Sequence, residues 1–189
     1  MNNLAQAKTL GGIGSILILL SIVPFAGVVL FIVGFIMVLM AVKYISETAE
    51  DRTIYNNALI AVILAIVGMI AAVVVAVAGK MFPFFGEFRP YGPSMFVEPR
   101  MYGFLTTLII ALVILWVFYI GSAIYLRKSY RAIASKLNIS MFETVALLYL
   151  VGAVLAVVLV GFIVIYVAEI LQTVAFFSIV EKAQQPSEA

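Results

Sequence analysis

A chain of 189 residues that is 66% hydrophobic and only 11% charged carries too little polar surface to dissolve as a monomer; soluble domains run at about 45–50% apolar and about 25% charged. A net charge of +2 leaves no electrostatic footprint for nucleic acid. With neither Cys nor His, disulfides, thiol catalysis, haem–His ligation and Cys/His zinc sites are excluded.

The mean hydropathy of +1.24 points to a lipid bilayer as solvent. Lipid offers no water to backbone groups, so spans must be helices or a closed barrel. The apolar runs here are continuous rather than alternating, which selects helices. The expected fold is an all-α polytopic membrane helix bundle forming one domain over 1–182.

The first apolar block runs from Leu10 to Val42. No small-residue cleavage pattern follows "MNNLAQAKTLGGIGSILILL", so it reads as retained helix rather than a signal peptide. It is too long for one span of about 20 residues. "IVPFAGVV" places Pro24 and Gly27 at its middle. Pro interrupts a helix and Gly tolerates the dihedrals of a tight reversal. Two spans, 4–23 and 25–44, follow; the alternative is one long Pro-kinked helix. In "SETAEDRTIYNN", Ser46 or Thr48 offers a cap, with Glu50 and Asp51 early in the next helix.

The third span, 54–79, carries small residues along one face: Ala61, Ala65, Gly68, Ala72, Ala76 and Gly79. Such a seam lets another backbone approach closely. Packing within the bundle is the first reading and a homodimer face the second. Residues 80–101 form a loop rich in aromatics, including Phe82, Phe84, Phe85, Phe88, Tyr91 and Phe96, with four prolines. Aromatics favour the membrane–water boundary, so a semi-rigid outer lid is expected, either as an anchor or as a docking surface.

A fourth span over 102–126 leads to "RKSYRAIASK", four cations without an acid. Cations accumulate on the cytoplasmic side, which places this segment inside. "KLNISMFETV" then offers Ser140 as N-cap with Glu143 three residues on, a capping-box spacing. The last block, Met141–Val180, again fits two spans, 141–160 and 162–180, turning near Gly161. A polar tail, 183–189, closes the chain. With six spans, eight Lys and Arg lie inside against three outside; with four spans and two long kinked helices, the split is six against five. Six spans with two tight hairpins and both termini cytoplasmic obey the charge rule better. Aligning Gly27 with Gly161 also pairs Val33 with Val167, Ile36 with Ile170 and Ala41 with Ala175, a hint of a parallel pseudo-repeat.

One feature breaks the apolar pattern. In "YVAEILQTVAFF", Glu169, Gln172 and Thr173 share one helical face at mid-membrane. An acid there costs at least about 2.5–3.5 kcal/mol on insertion scales, and such residues usually face the bundle interior. No Lys or Arg lies near the middle of a span to pair with it. Hydrogen bonds to Gln172, Asn57, Ser21 or Tyr149 are expected instead. The polar face is either structural glue between helices or a site.

No P-loop, dinucleotide fingerprint, HExxH or GxSxG motif is present. The acids Glu47, Glu50 and Asp51 lack a spaced partner for metal. No cofactor, no metal site and no enzyme activity are expected. The combination of "LAQAKTLGGIGSIL", "PFAG", "VGFIMVLMAVKYIS", "DRTIYNN" and "LLYLVGAVLAVVLVGFIVIYVAEILQTVAFFSI" resembles an archaeal family of multi-pass membrane proteins of unknown function. The resemblance implies an archaeal cell membrane, no assigned activity and no catalytic residues. It also implies an apolar or aromatic residue where Glu169 stands. The functional expectation is an accessory or scaffold component of a larger membrane complex, in contact with the lipid bilayer and other membrane subunits or a second copy. The alternative is a small transporter or proton/ion conductor using the Glu169–Gln172–Thr173 face.

Overall fold

The computed structural model describes residues 3–81 and 99–180. They form α1 (Asn3–Leu20), α2 (Gly27–Thr48), α3 (Arg52–Met81), α4 (Pro99–Leu137), α5 (Met141–Leu155) and α6 (Val160–Phe177), with one short 3-10 turn, Ala156–Val158, before α6. There is no strand among the described residues. All six helices are long and apolar enough to cross a membrane. The protein is an all-α, multi-pass membrane bundle. The alternative of four spans with two long kinked helices is excluded, because both outer blocks fold back on themselves.

Each reversal depends on one residue in the left-handed region. In the first it is Phe25, φ 68°, and in the second Leu159, φ 63°. The sequence expectation assigned that conformation to Gly27, and this is corrected: Gly27 has ordinary helical φ and opens α2. Its missing side chain matters for space, because a Cβ would collide with the Ser21 carbonyl. Gly161 stands in the same relation to its hairpin, packed on the backbone of Ala156 and Gly152. Phe25 thus pairs with Leu159 as Gly27 pairs with Gly161. Burial follows the pairing: Ala41 and Ala175 are buried, whereas Val33, Val167, Ile36 and Ile170 face outward. The two hairpins are built alike and run the same way.

The helices close a ring in chain order. α1 packs on α2 and α6, and every other helix packs on its chain neighbours; α2 against α3 is the sparsest seam. α1 and α2 meet where Gly14 faces Gly34; a Cβ on Gly14 would lie 2.7 Å from the Gly34 carbonyl. On α3, Gly68 receives the Phe118 side chain of α4. The small-residue seam therefore serves packing inside the chain at that point. Ala61 is buried, and Ala72 and Ala76 are half-buried.

Large side chains are buried almost entirely at one end, called the base. It comprises the start of α1, α3 and α5 and the end of α2, α4 and α6. Ile45, Ile54, Ile133, Phe142 and Phe176 are fully covered there. Phe142 stands edge-on to Phe176 and Tyr130, with centroids 5.2 and 5.8 Å apart. At the other end, the tip, large apolar residues such as Val28, Val29, Val74 and Ile163 point outward, as lipid-facing side chains do. α4 spans 39 residues, about 58 Å at 1.5 Å per residue. It exceeds the roughly 30 Å hydrocarbon core, so its last turns, with Arg127, Lys128, Arg131 and Lys136, extend past the expected end of the span at 126.

The connections at the base correct two capping expectations. Asp51, not Ser46 or Thr48, caps α3: its Oδ1 accepts the Thr53 N–H at 3.0 Å and the Thr53 hydroxyl at 2.6 Å. Ser46 donates to the Asp51 carbonyl at 2.7 Å, and Thr48 bonds back to Tyr44. Ser140 precedes α5 but makes no side-chain cap. Glu143 instead pairs with Arg131 at 3.1 Å. Among the outer-loop aromatics, Phe82, Phe84, Phe85, Phe88, Tyr91 and Phe96 all lie outside the described residues.

Candidate functional site

The six helices converge on a cavity of about 400 Å³. It runs from Ser21 and Ile22, at the tip of the first hairpin, down to Tyr130 and Gln172 above the packed base. Every helix contributes a wall residue, among them Ala65 on α3, Ser122 on α4 and Tyr149 on α5. The wall is mostly apolar and aromatic. Among the described residues, Glu169 is its only carboxylate and no Lys or Arg borders it.

The floor is a hydrogen-bonded hub centred on Gln172, which is 2% exposed. Its Oε1 accepts from the hydroxyls of Tyr130 at 2.8 Å and Tyr149 at 2.9 Å. Its Nε2 donates to the Ser15 hydroxyl at 2.8 Å. Four helices, α1, α4, α5 and α6, are thereby joined at one amide. A buried amide or hydroxyl without a partner is costly, and here each finds one. Two more polar links sit on the ring: Ser129 donates to the Ile54 carbonyl at 2.8 Å, and the Trp116 indole N–H donates to the Ala153 carbonyl, in the last turn of α5, at 3.0 Å.

Glu169 lies one turn above Gln172 on the cavity wall. The residue is half-buried, but its Oε2 is closed off and has no hydrogen-bond partner. The Tyr149 hydroxyl lies within reach of the Glu169 carboxyl. That hydroxyl has one proton to give, and Gln172 Oε1 takes it. The acid is therefore under-satisfied beside a fully satisfied hub.

The predicted polar face divides. Glu169 and Gln172 border the cavity. Thr173 donates its hydroxyl back to the Glu169 backbone carbonyl at 3.0 Å and takes no part in the hub. Of the expected partners, Tyr149 is in place, Ser21 borders the cavity farther up, and Asn57 does not border it. Ser15 and Tyr130 were not legible as hub residues. Ser15 follows the glycine-rich "GGIG" in the second half of α1, and Tyr130 sits in the middle of the basic "RKSYRAIASK". The available signal was chemical: a Tyr hydroxyl drawn into an apolar bundle requires an acceptor.

Outside the spans, the Asp51 carboxyl is held below its ordinary 3.8 by the two Thr53 hydrogen bonds, the side-chain one first.

Residues 30–170 match the family described as "Protein of unknown function (DUF996)". Over 179 residues the chain is 35% identical to the uncharacterized protein MJ1644 of Methanocaldococcus jannaschii, covering 93% of each chain. No solved structure matches. On the strength of both matches, this six-helix membrane protein belongs to the DUF996 family.

Proposed function

We propose that this protein is a small non-enzymatic carrier that binds a solute inside the membrane, in a vestibule open toward the tip and closed at the base. The observation that carries this reading is the convergence of all six helices on one cavity that contains, among the described residues, a single under-satisfied carboxylate. Intramembrane ionisable residues facing a cavity commonly mark a substrate or ion path. Two like-built hairpins that both line one central cavity also suit a transporter. The fully buried layer of Ile45, Ile54, Ile133, Phe142 and Phe176 offers no polar path through the base. A standing ion channel is therefore disfavoured, and passage would require the hairpins to move. The accessory or scaffold reading draws less support, since Gly68 in its small-residue seam is spent on Phe118 within the chain.

The excess of Lys and Arg at the base orients it toward the cytoplasm, with both termini inside and the vestibule facing outward across an archaeal cell membrane.

The absence of Cys permits a substrate-independent test. Single cysteines at Ala65 and Ser122 should react in intact cells with a membrane-impermeant methanethiosulfonate. A cysteine at Ile133 should not. Silence at both cavity positions would remove the vestibule reading and return weight to a scaffold role.

A further inference from the structure

The chemistry of the cavity wall narrows what it can hold. The polar groups of the floor are already committed: Gln172 Oε1 accepts twice, its Nε2 donates to Ser15, and the protons of Tyr130 and Tyr149 are given away. The remaining charged group is the Glu169 carboxyl, with Oε2 unpartnered. Its terminal torsion is broad, so either oxygen can turn to the chamber. Among the described residues, no cationic side chain borders the cavity to complete it. A buried carboxylate without a counter-charge is strongly disfavoured; a proton relieves that cost when the chamber is empty, and a cationic ligand can take the proton's place.

An inorganic ion does not fit that role. Hard cations take about six oxygen ligands. Among the described residues, no three acids gather in one place, and the walls around Glu169 are largely hydrocarbon and aromatic. Phe31, Phe35, Tyr119, Phe162 and Tyr166 all border the chamber. Aromatic faces attract a cation that has shed its water. A volume of about 400 Å³ is in the range of small-molecule pockets.

We propose that the vestibule binds a hydrophobic organic monocation, a bulky amine or onium ion, with its charge set against Glu169 and its apolar body against the aromatic wall. This inference rests on the vestibule reading and adds the ligand class to it. An anion would face Glu169 with no compensating charge. A neutral body of the same shape would leave the carboxylate as it was.

The test uses three phenyl-substituted probes of different charge, of which the cation and the anion share one shape. Tetraphenylphosphonium, triphenylphosphine oxide and tetraphenylborate are titrated by equilibrium dialysis against the full chain in nanodiscs of neutral phosphatidylcholine, with empty nanodiscs as background. The expected result is saturable binding of the phosphonium, at one per chain, and of neither other probe. Glu169→Gln, which keeps the shape, should weaken it by about tenfold or more, the effect of roughly 1.4 kcal/mol. Ala65→Trp, which fills the chamber, should abolish it. Saturable binding of the neutral oxide that Ala65→Trp blocks and Glu169→Gln spares would overturn the cation assignment and keep the vestibule. Absence of saturable binding for all three would overturn both. Equal binding of the borate and the phosphonium would also overturn the assignment, and this wild-type comparison does not depend on any variant folding.

Discussion

Ser15 and Gln172 are joined by a 2.8 Å hydrogen bond between the first helix and the last. The bond closes the ring of helices, and it does so at the floor of the cavity. Its removal should therefore loosen the bundle where the site is built. Ser15→Ala deletes one interhelical bond, worth about 0.6 kcal/mol on average and up to about 1.7 in a membrane bundle. Gln172→Leu deletes three and leaves two buried Tyr hydroxyls without their acceptor. Thermal unfolding in detergent should rank them wild type, Ser15→Ala, Gln172→Leu, in falling order. An equal melting temperature for Gln172→Leu and wild type would mean that the hub is not formed.

Close backbone approach gives a sharper contrast. A Cβ on Gly34 would lie 2.5 Å from the Gly14 carbonyl, whereas one on Gly121 would meet only the Leu64 Cδ1, at 3.7 Å. Gly34→Ala should separate α1 from α2 and lower stability. Gly121→Ala should be neutral or stabilising by up to about 1 kcal/mol, because Ala is the better helix former. Gly68→Leu should behave like Gly34→Ala, since the space belongs to Phe118. Monodisperse elution and wild-type melting for Gly34→Ala and Gly68→Leu would contradict this packing.

Glu169 is expected to oppose stability. Its Oε2 is closed off and unpartnered, and replacing an unpaired buried polar group by an apolar one of similar size is often neutral or stabilising. Glu169→Leu should melt at or above the wild-type temperature while losing ligand binding, the usual trade between a strained site and stability. A large drop in melting temperature would show instead that the carboxyl holds helices together.

The start of α3 should be acid-sensitive. The Thr53 hydrogen bonds lower the Asp51 pKa from its ordinary 3.8. A carboxyl with a depressed folded pKa contributes stability that is present above the unfolded value and lost as pH falls through the folded one. The difference in melting temperature between wild type and Asp51→Ala should therefore be constant above about pH 5 and shrink below 3.8. A difference that does not change with pH would assign the effect to something other than the carboxylate.

Orientation is open to a direct measurement. Cysteines placed at Asn2 and Glu188 should resist an impermeant reagent in intact cells and react once the membrane is opened. External labelling at both would invert the assignment drawn from the charge count.

Much of this molecule is fixed by composition and punctuation. Continuous apolar runs in a chain without Cys or His leave lipid as the solvent and helices as the spans. Run length against bilayer thickness, with Pro24 and the excess of cations on one side, is enough to separate six spans from four. These are local or one-dimensional constraints, so a sequence displays them. Details of the turns are not displayed, because the residue that takes the left-handed conformation depends on how the flanking helices meet; Phe25 and Leu159 take it while Gly27 and Gly161 make room. Asp51 displaced the predicted caps for a related reason, since several side chains compete for the same few N–H groups. The acid and amide of "YVAEILQTVAFF" were legible as an anomaly. Their difference in state was not, because Gln172 is satisfied by Ser15, Tyr130 and Tyr149 from three other helices. Only ring closure brings those side chains together and leaves the Glu169 Oε2 beside them without a hydrogen-bond partner.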